Sequence, residues 1–393
     1  MKVDYYGIDE ELREEERQVR DNVRRFVEGR VMPDIARHYQ DGTFPLELIP
    51  EFAELGLLGA NLEGYGCAGM GDVSYGLAMQ ELERCDSGVR SFCSVQGSLC
   101  MFPIWAYGSE EQKERWLPGM AKGEIIGCFG LTEPDFGSNP TGMITKAVRL
   151  PGGGYRLNGT KRWITNGNLA KVAIVWAKLE GEKADKPGQD VRGFLVPTET
   201  PGFTAMKIED KFSLRASVTS ELILEDVEVG EDALLPGVKG MKGPLSCLSQ
   251  ARYGICWGAI GAAMGCYETA LSYAKDRVQF SRPIAGYQLV QQKLVHMLSE
   301  ITKAQCLTLR LGRLKEAKKV RPAQISLAKR NNVHHALEIA RMARDVLGGN
   351  GIMYEYPVGR HMMNLETVYT YEGTHDIHTL IVGADITGLP AFD

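Results

Sequence analysis

The chain has 393 residues, 44% hydrophobic and 24% charged, and its 45 Lys and Arg against 50 Asp and Glu leave a formal net charge of -5. That length suits two or three sub-domains around a shared core. The weak negative balance provides no electrostatic footprint for nucleic acid, and no apolar run reaches the roughly 18–20 residues of a membrane span.

Residues 1–127 read as helical. Asp9 to about Gly29 places Val19, Val23 and Phe26 on one face, and Leu46–Leu58, stopped by Gly59, Tyr75–Arg84, Gln96–Tyr107 and Glu110–Met120 follow. Over 128–240 the period changes, and Ile144–Leu150, Gly154–Asn158, Val172–Lys178, Gly193–Thr198, Ser220–Leu224 and Val227–Val229 read as strands. Gly152-Gly153-Gly154 and Asn158-Gly159 read as turns, and Gly181–Asp190 as an exposed loop. Over 241–393 the helical period returns in Gly254–Arg277, Leu289–Ala317, Pro322–Leu347 and a shorter Asp376–Thr387, which predicts a four-helix bundle. Ala and Gly in the first of these permit close helix packing. The fold class expected is therefore mainly α with a middle β-domain.

The acidic N-terminus MKVDYYGIDEELREEERQ lacks the apolar core of a secretory signal, so a bacterial cytoplasmic protein is expected, or a mitochondrial matrix protein if the chain is a processed eukaryotic one. Nine cysteines, an odd count without CxxC spacing, read as free thiols in a reducing compartment.

No phosphate-binding GxxxxGK[ST] occurs, nor a strand-placed GxGxxG with its downstream acid. Several stretches admit both a bland and a sharp reading. Gly348-Gly349-Asn350-Gly351 is a helix stop or a close backbone approach to a cofactor. Leu131-Thr132-Glu133-Pro134-Asp135-Phe136-Gly137-Ser138 is a capped turn or a hydroxyl-bearing loop for a ligand. Trp163 is core packing, the more economical reading, or the wall of a planar cofactor. Arg90 is a surface salt bridge or a clamp for a substrate carboxylate. Glu372, beside Gly373 at a helix entrance, is an end-of-helix carboxylate or a base that desolvation makes competent. His375 and His378 lack the partner residues of a zinc site, and no metal is expected.

Taken together these motifs resemble the acyl-CoA dehydrogenase family across essentially the whole chain. The ordered series is Gly130-Leu131-Thr132-Glu133-Pro134, Asn158-Gly159-Thr160-Lys161 with Trp163-Ile164-Thr165-Asn166, Arg277-Val278-Gln279-Phe280, Leu347-Gly348-Gly349-Asn350-Gly351 and Tyr371-Glu372-Gly373-Thr374. The resemblance implies an N-terminal helical domain (1–127), a β-barrel-like middle domain (128–240) and a C-terminal four-helix bundle (241–393), with FAD at a subunit interface of a homotetramer. Phe129, Leu131, Thr132, Gly137, Ser138, Trp163, Ile164 and Thr165 would then line the flavin of one subunit. Arg277, Gln279, Phe280, Asp345, Leu347, Gly348 and Gly349 would reach its adenosine diphosphate from the neighbour, with Thr374 and Asp376 after the catalytic Glu372. Ser138 would also follow the CoA thioester arm, with Arg252 near its outer part.

Within the family the chain resembles glutaryl-CoA dehydrogenases, through Glu81-Leu82-Glu83-Arg84, Asp86-Ser87-Gly88, Arg90-Ser91, Lys211–Ser217, Ala251–Gly254, Asn364-Leu365-Glu366 and Thr370–His378. That likeness implies Arg90 on the distal carboxylate of glutaryl-CoA, Glu83 and Ser91 around it, and Tyr371 and Gly373 beside the base. Val89 departs from the tyrosine of the relatives. The expected reaction is α,β-dehydrogenation and decarboxylation to crotonyl-CoA, with electrons passed to electron-transferring flavoprotein. Retention of the carboxylate as glutaconyl-CoA, or a short- or branched-chain substrate, are the alternatives.

Overall fold

The computed structural model describes residues 3–391. Helices α1 (Glu14–Phe26), α2 (Met32–Asp41), α3 (Ile49–Glu54), α4 (Asp72–Cys85), α5 (Ser87–Ser94), α6 (Phe102–Tyr107) and α7 (Glu110–Ala121) come first. The chain does not stop at Gly29: a π turn over Val27–Val31 joins α1 to α2. The helix expected over Leu46–Leu58 is shorter, because Gly56 already takes a left-handed φ of 68°. Asp86 starts a helix that periodicity missed. Its side chain accepts from the Gly88 amide at 2.7 Å, which caps α5.

Seven strands follow: β1 (Gly127–Gly130), β2 (Lys146–Arg149), β3 (Tyr155–Thr165), β4 (Val172–Leu179), β5 (Val191–Pro197), β6 (Phe203–Lys207) and β7 (Thr219–Val229). They form one sheet in the order β1-β4-β2-β3-β7-β6, with β5 on the other edge of β4. β1 and β6 were not anticipated, and the two pieces expected over 220–229 are one strand. Asn158-Gly159 is not a turn. It sits inside β3 at a register shift against β7, where a Cβ on Gly159 would overlap the Thr145 side chain. A second shift, between Lys161 and Ile164, brackets Trp163. Gln96 ties this sheet to the helices: its Oε1 accepts from the Gly127 amide at 2.9 Å and its Nε2 donates to the Ile125 carbonyl at 2.8 Å.

The last region holds α8 (Lys242–Asp276), α9 (Gln288–Glu316), α10 (Pro322–Val346), α11 (Pro357–Thr370) and α12 (His375–Thr387). α11 had no counterpart in the sequence reading. It packs on α8 and α10, and its C-terminus delivers the chain to Glu372. No helix among the described residues is long and apolar enough to cross a membrane. Of the nine cysteines, seven are buried, Cys67 is half-buried, Cys306 is exposed, and all are free.

The central contact of the molecule is α4 against α8. It is close because α8 presents glycine where α4 crosses: a Cβ on Gly258 would overlap the Glu83 carboxylate, and one on Gly261 would overlap the Gln80 carbonyl. Gly261→Ala is thus expected to cost roughly 1–3 kcal/mol by overpacking, read as a lower thermal midpoint. An unchanged midpoint would show that the two helices separate freely.

Candidate active site

The connection between α11 and α12 is short and bent. Tyr371 closes α11, donating its amide to the Thr367 carbonyl at 2.8 Å, and Thr374 caps α12 by accepting from the Ile377 amide at 3.1 Å. Between them Glu372 and Gly373 both take positive φ, 54° and 92°. A left-handed glutamate is uncommon and persists only where the surroundings impose it. Here the half-buried Arg252 and the buried Lys329 do so. Arg252 on α8 donates Nε to the Glu372 carbonyl at 2.6 Å. Lys329 on α10 donates Nζ to the Gly373 carbonyl at 2.7 Å and also to that of Tyr371. Glu372 is half-buried, yet its Oε2 is enclosed and without a hydrogen-bond partner. Burial pushes its carboxyl pKa up, against the pull of Arg90, Lys329 and Arg252, and burial wins.

Arg90 is wholly buried, so the surface salt-bridge reading of it is overturned. Its Nε donates to Glu83 Oε2 at 2.6 Å, its Nη2 to the Tyr371 hydroxyl, and Ser91 Oγ lies 3.1 Å from that same hydroxyl. Two atoms of this pair are left over: Arg90 Nη1 and Glu83 Oε1 are both buried without hydrogen-bond partners among the described residues. Burial opposes the arginine's charge, but Glu83 and Tyr371 hold its pKa above the ordinary value. The helix carrying Arg90 is locked to the helix leading to Glu372. The capping Asp86 accepts from Arg360 Nη1 at 2.8 Å and from Asn364 Nδ2 at 2.9 Å, both on α11. Sequence-distant Glu83, Arg90, Ser91, Arg252, Tyr371, Glu372 and Gly373 are thereby brought into one cluster.

On the β-domain, the loop after β1 is pinned by a buried ion pair, Lys161 Nζ to Glu133 Oε1 at 2.8 Å. Glu133 also accepts from the Ile144 and Thr145 amides at 2.6 and 2.9 Å, and Lys161 donates to the Leu131 carbonyl at 3.1 Å. Burial would raise the Glu133 pKa, but Lys161 and those amides outweigh it and keep it low. Phe129, Leu131 and Ile164 are buried, Thr132 and Thr165 half-buried, and Gly137 and Ser138 exposed on the same loop. Trp163 is not core. The distortion in β3 gives it φ 64° and leaves its ring 57% exposed under the Arg162 guanidinium. An exposed indole beside two hydroxyls suits a planar aromatic ligand.

The remaining expected cofactor residues stand apart. Arg277, Gln279 and Phe280 occupy an exposed hairpin after α8, with Phe280 90% exposed. Gly348 and Gly349 are open to solvent just past α10, above buried Leu347, and Asp345 pairs with Lys293. Thr374 caps α12, and Asp376 is exposed in its first turn.

Lys329 is not singled out by the sequence, and His378 is weighed there only as a metal ligand. Lys329 shares the buried face of α10 with Ile325, Ala328, Asn332, Val333 and Ala336, so a lysine on an apolar stripe was the readable signal. His378 is buried beside Gly373 with both ring nitrogens unpartnered, and burial drives its pKa down to about 2.

Three family models match in series: acyl-CoA dehydrogenase N-terminal domain over residues 13–124, middle domain over 128–227 and C-terminal domain over 238–387. The crystal structure of glutaryl-CoA dehydrogenase from Mycobacterium smegmatis is 56% identical with a TM-score of 0.96, covering 100% of this chain and 99% of that one. A glutaryl-CoA dehydrogenase from the same organism in complex with FADH2 is 53% identical, again with a TM-score of 0.96 and coverage of 100% and 99%. Among curated proteins, the short-chain specific acyl-CoA dehydrogenase of Megasphaera elsdenii is 37% identical over 91% of this chain and 94% of its own length.

Proposed function

The chain belongs to the acyl-CoA dehydrogenase family, and from that premise we propose that it oxidises glutaryl-CoA, releases the distal carboxylate as CO2 and delivers crotonyl-CoA. The observation that carries the glutaryl preference is the buried Arg90, whose Nη1 has no hydrogen-bond partner among the described residues. A carboxylate is costly to desolvate unless it meets such a donor. An acyl tail without a carboxylate would leave that donor buried and unsatisfied.

The residues present fit FAD. Trp163 offers an exposed aromatic face, Thr132 and Thr165 offer hydroxyls, and the exposed Arg277–Phe280 hairpin and Gly348-Gly349 turn suit contact with a neighbouring subunit's cofactor. When bound, FAD supplies the acceptor for the hydrogen and electron pair leaving Cβ. The chain's own residues do the rest. Glu372 takes the α-proton of the thioester. Arg90, held by Glu83, keeps the far carboxylate in place, so the reacting carbons lie against Glu372. Once the double bond has formed, the bond from Cγ to the carboxylate breaks, CO2 leaves, and its electron pair delocalises into the thioester. Glu372 then returns its proton to Cγ. The proton taken from Cα is balanced by the one given to Cγ, so over the whole reaction the substrate loses one hydride and one CO2.

Electrons pass onward to electron-transferring flavoprotein. The exposed apolar residues Val278, Phe280, Leu289, Val295, Ile352 and Met353 support a homo-oligomer, and a tetramer is the assembly proposed.

The test is to mix the purified flavoprotein with glutaryl-CoA and an artificial electron acceptor and identify the CoA product by mass. Crotonyl-CoA with one CO2 per turnover is expected. Glutaconyl-CoA would keep the dehydrogenation and overturn the decarboxylation. Turnover of butyryl-CoA with none of glutaryl-CoA would overturn the role of Arg90.

A further inference from the structure

Three consecutive carbonyls, those of Tyr371, Glu372 and Gly373, all end on two side chains, Lys329 and Arg252. Lys329 takes the outer two. It is 1% exposed and comes from the first third of α10, whose Arg330 and Val333 line the same pocket beside His375 and His378. A buried ammonium needs acceptors, and backbone carbonyls flanking a bend satisfy it while fixing the bend. Around it stand Arg90 from α5, Arg252 and Cys256 from α8, Tyr371 and Glu372 from the loop, and His375 and His378 from α12. Of these, Glu372 is the one whose ionisation changes in the proposed reaction.

We propose that Lys329 is a positioning residue for the base: it clamps the Tyr371–Gly373 bend on both sides of Glu372, and its charge sets how readily the Glu372 carboxylate forms. This rests on the reading of Glu372 as the base. The geometry separates two duties. The hydrogen bonds hold the left-handed φ of 54° at Glu372, and so the direction of its carboxylate. The positive charge offsets the desolvation that pushes the carboxyl pKa up. Burial lowers the Lys329 pKa, with Arg252 and Arg90 pulling the same way, and the Glu372 carboxylate opposes them, so each of the two charges supports the other.

The experiment compares Lys329→Met and Lys329→Gln with wild type, each as purified FAD-loaded protein, by pH profiles of kcat and KM with glutaryl-CoA. For Lys329→Met a fall of roughly 100-fold in kcat is expected, the scale of an ångström-sized misplacement, with KM little changed. The acid limb should move to higher pH by about one unit, because a cation opposing desolvation has gone. Lys329→Gln keeps an uncharged donor to the carbonyls, so its acid limb should move as far while kcat falls less. Glu372→Gln is run alongside. If it retains wild-type turnover, the base assignment fails. If it is inactive while both Lys329 variants keep the wild-type acid limb, the base stands and the role given to Lys329 is overturned. If neither Lys329 variant yields folded flavoprotein, the residue belongs to fold stability and the proposal is likewise overturned.

Discussion

Glu372→Gln is expected to lower the rate of substrate-driven flavin reduction by roughly 10²–10⁴, the scale of a positioned general base, while the protein stays folded and yellow. The amide fills the same space, and Arg252 and Lys329 bind the backbone around Glu372, not its side chain. What disappears is a group able to take the α-proton. In the wild type the same residue should dictate the acid limb of the pH profile. A base must be ionised to act, and burial raises the pKa of Glu372, so activity should fall as pH drops through a value above the ~4.3 of a free glutamate. Stopped-flow flavin bleaching across pH measures both. A Gln variant that bleaches at the wild-type rate would assign the base elsewhere, and an acid limb at or below the free-glutamate value would remove burial as the controlling influence.

Why was Glu372 readable in the sequence and Lys329 not? Glu372 lies in a compact motif, Tyr371-Glu372-Gly373-Thr374, that carries the family resemblance; on the residues alone, the glycine and capping threonine mark only a helix entrance, and the role of base comes from the resemblance. Lys329 acts across 42 and 44 positions of chain by reaching two carbonyls, and a backbone carbonyl leaves no trace in sequence. Only its place on an otherwise apolar face of α10 could have flagged it. Arg90 is intermediate. Sequence placed it after a helix with Glu81 and Glu83, which on composition alone reads as a surface ion pair. Glycine at 258 is what lets Glu83 sit in the helix interface, and that fact emerges only once α4 and α8 are packed. The misplaced elements have similar causes. β1 was overlooked because four residues, Gly127–Gly130, carry no alternation and are held by pairing with β4. For Trp163 composition alone favours the core, since large aromatics usually belong there, whereas the family resemblance puts it beside the flavin; a strand distortion turns it outward, against the core reading.

Replacing Arg90 should separate glutaryl-CoA from its monocarboxylic analogues. Removal of the arginine alone would leave Glu83 buried and uncompensated, a loss of about 3–5 kcal/mol in stability that would cloud the kinetics. The informative variant is therefore Glu83→Gln with Arg90→Met, which removes both charges and keeps similar volume. Losing the partner of a buried carboxylate costs roughly 2–5 kcal/mol, so kcat/KM for glutaryl-CoA should drop about 30-fold to 4000-fold, and that for butyryl-CoA much less. Arg90→Lys serves as the companion. An ammonium keeps the charge but lacks the fork that lets one side chain hold Glu83 through Nε and Tyr371 through Nη2 while Nη1 remains for a ligand. It should retain part of the selectivity and lose most of the rate, since the distal carboxylate would be bound without being aimed. Equal losses on both substrates in the double variant, with flavin content and thermal midpoint unchanged, would mean that Arg90 supports the pocket wall and that the five-carbon diacid is recognised by other groups.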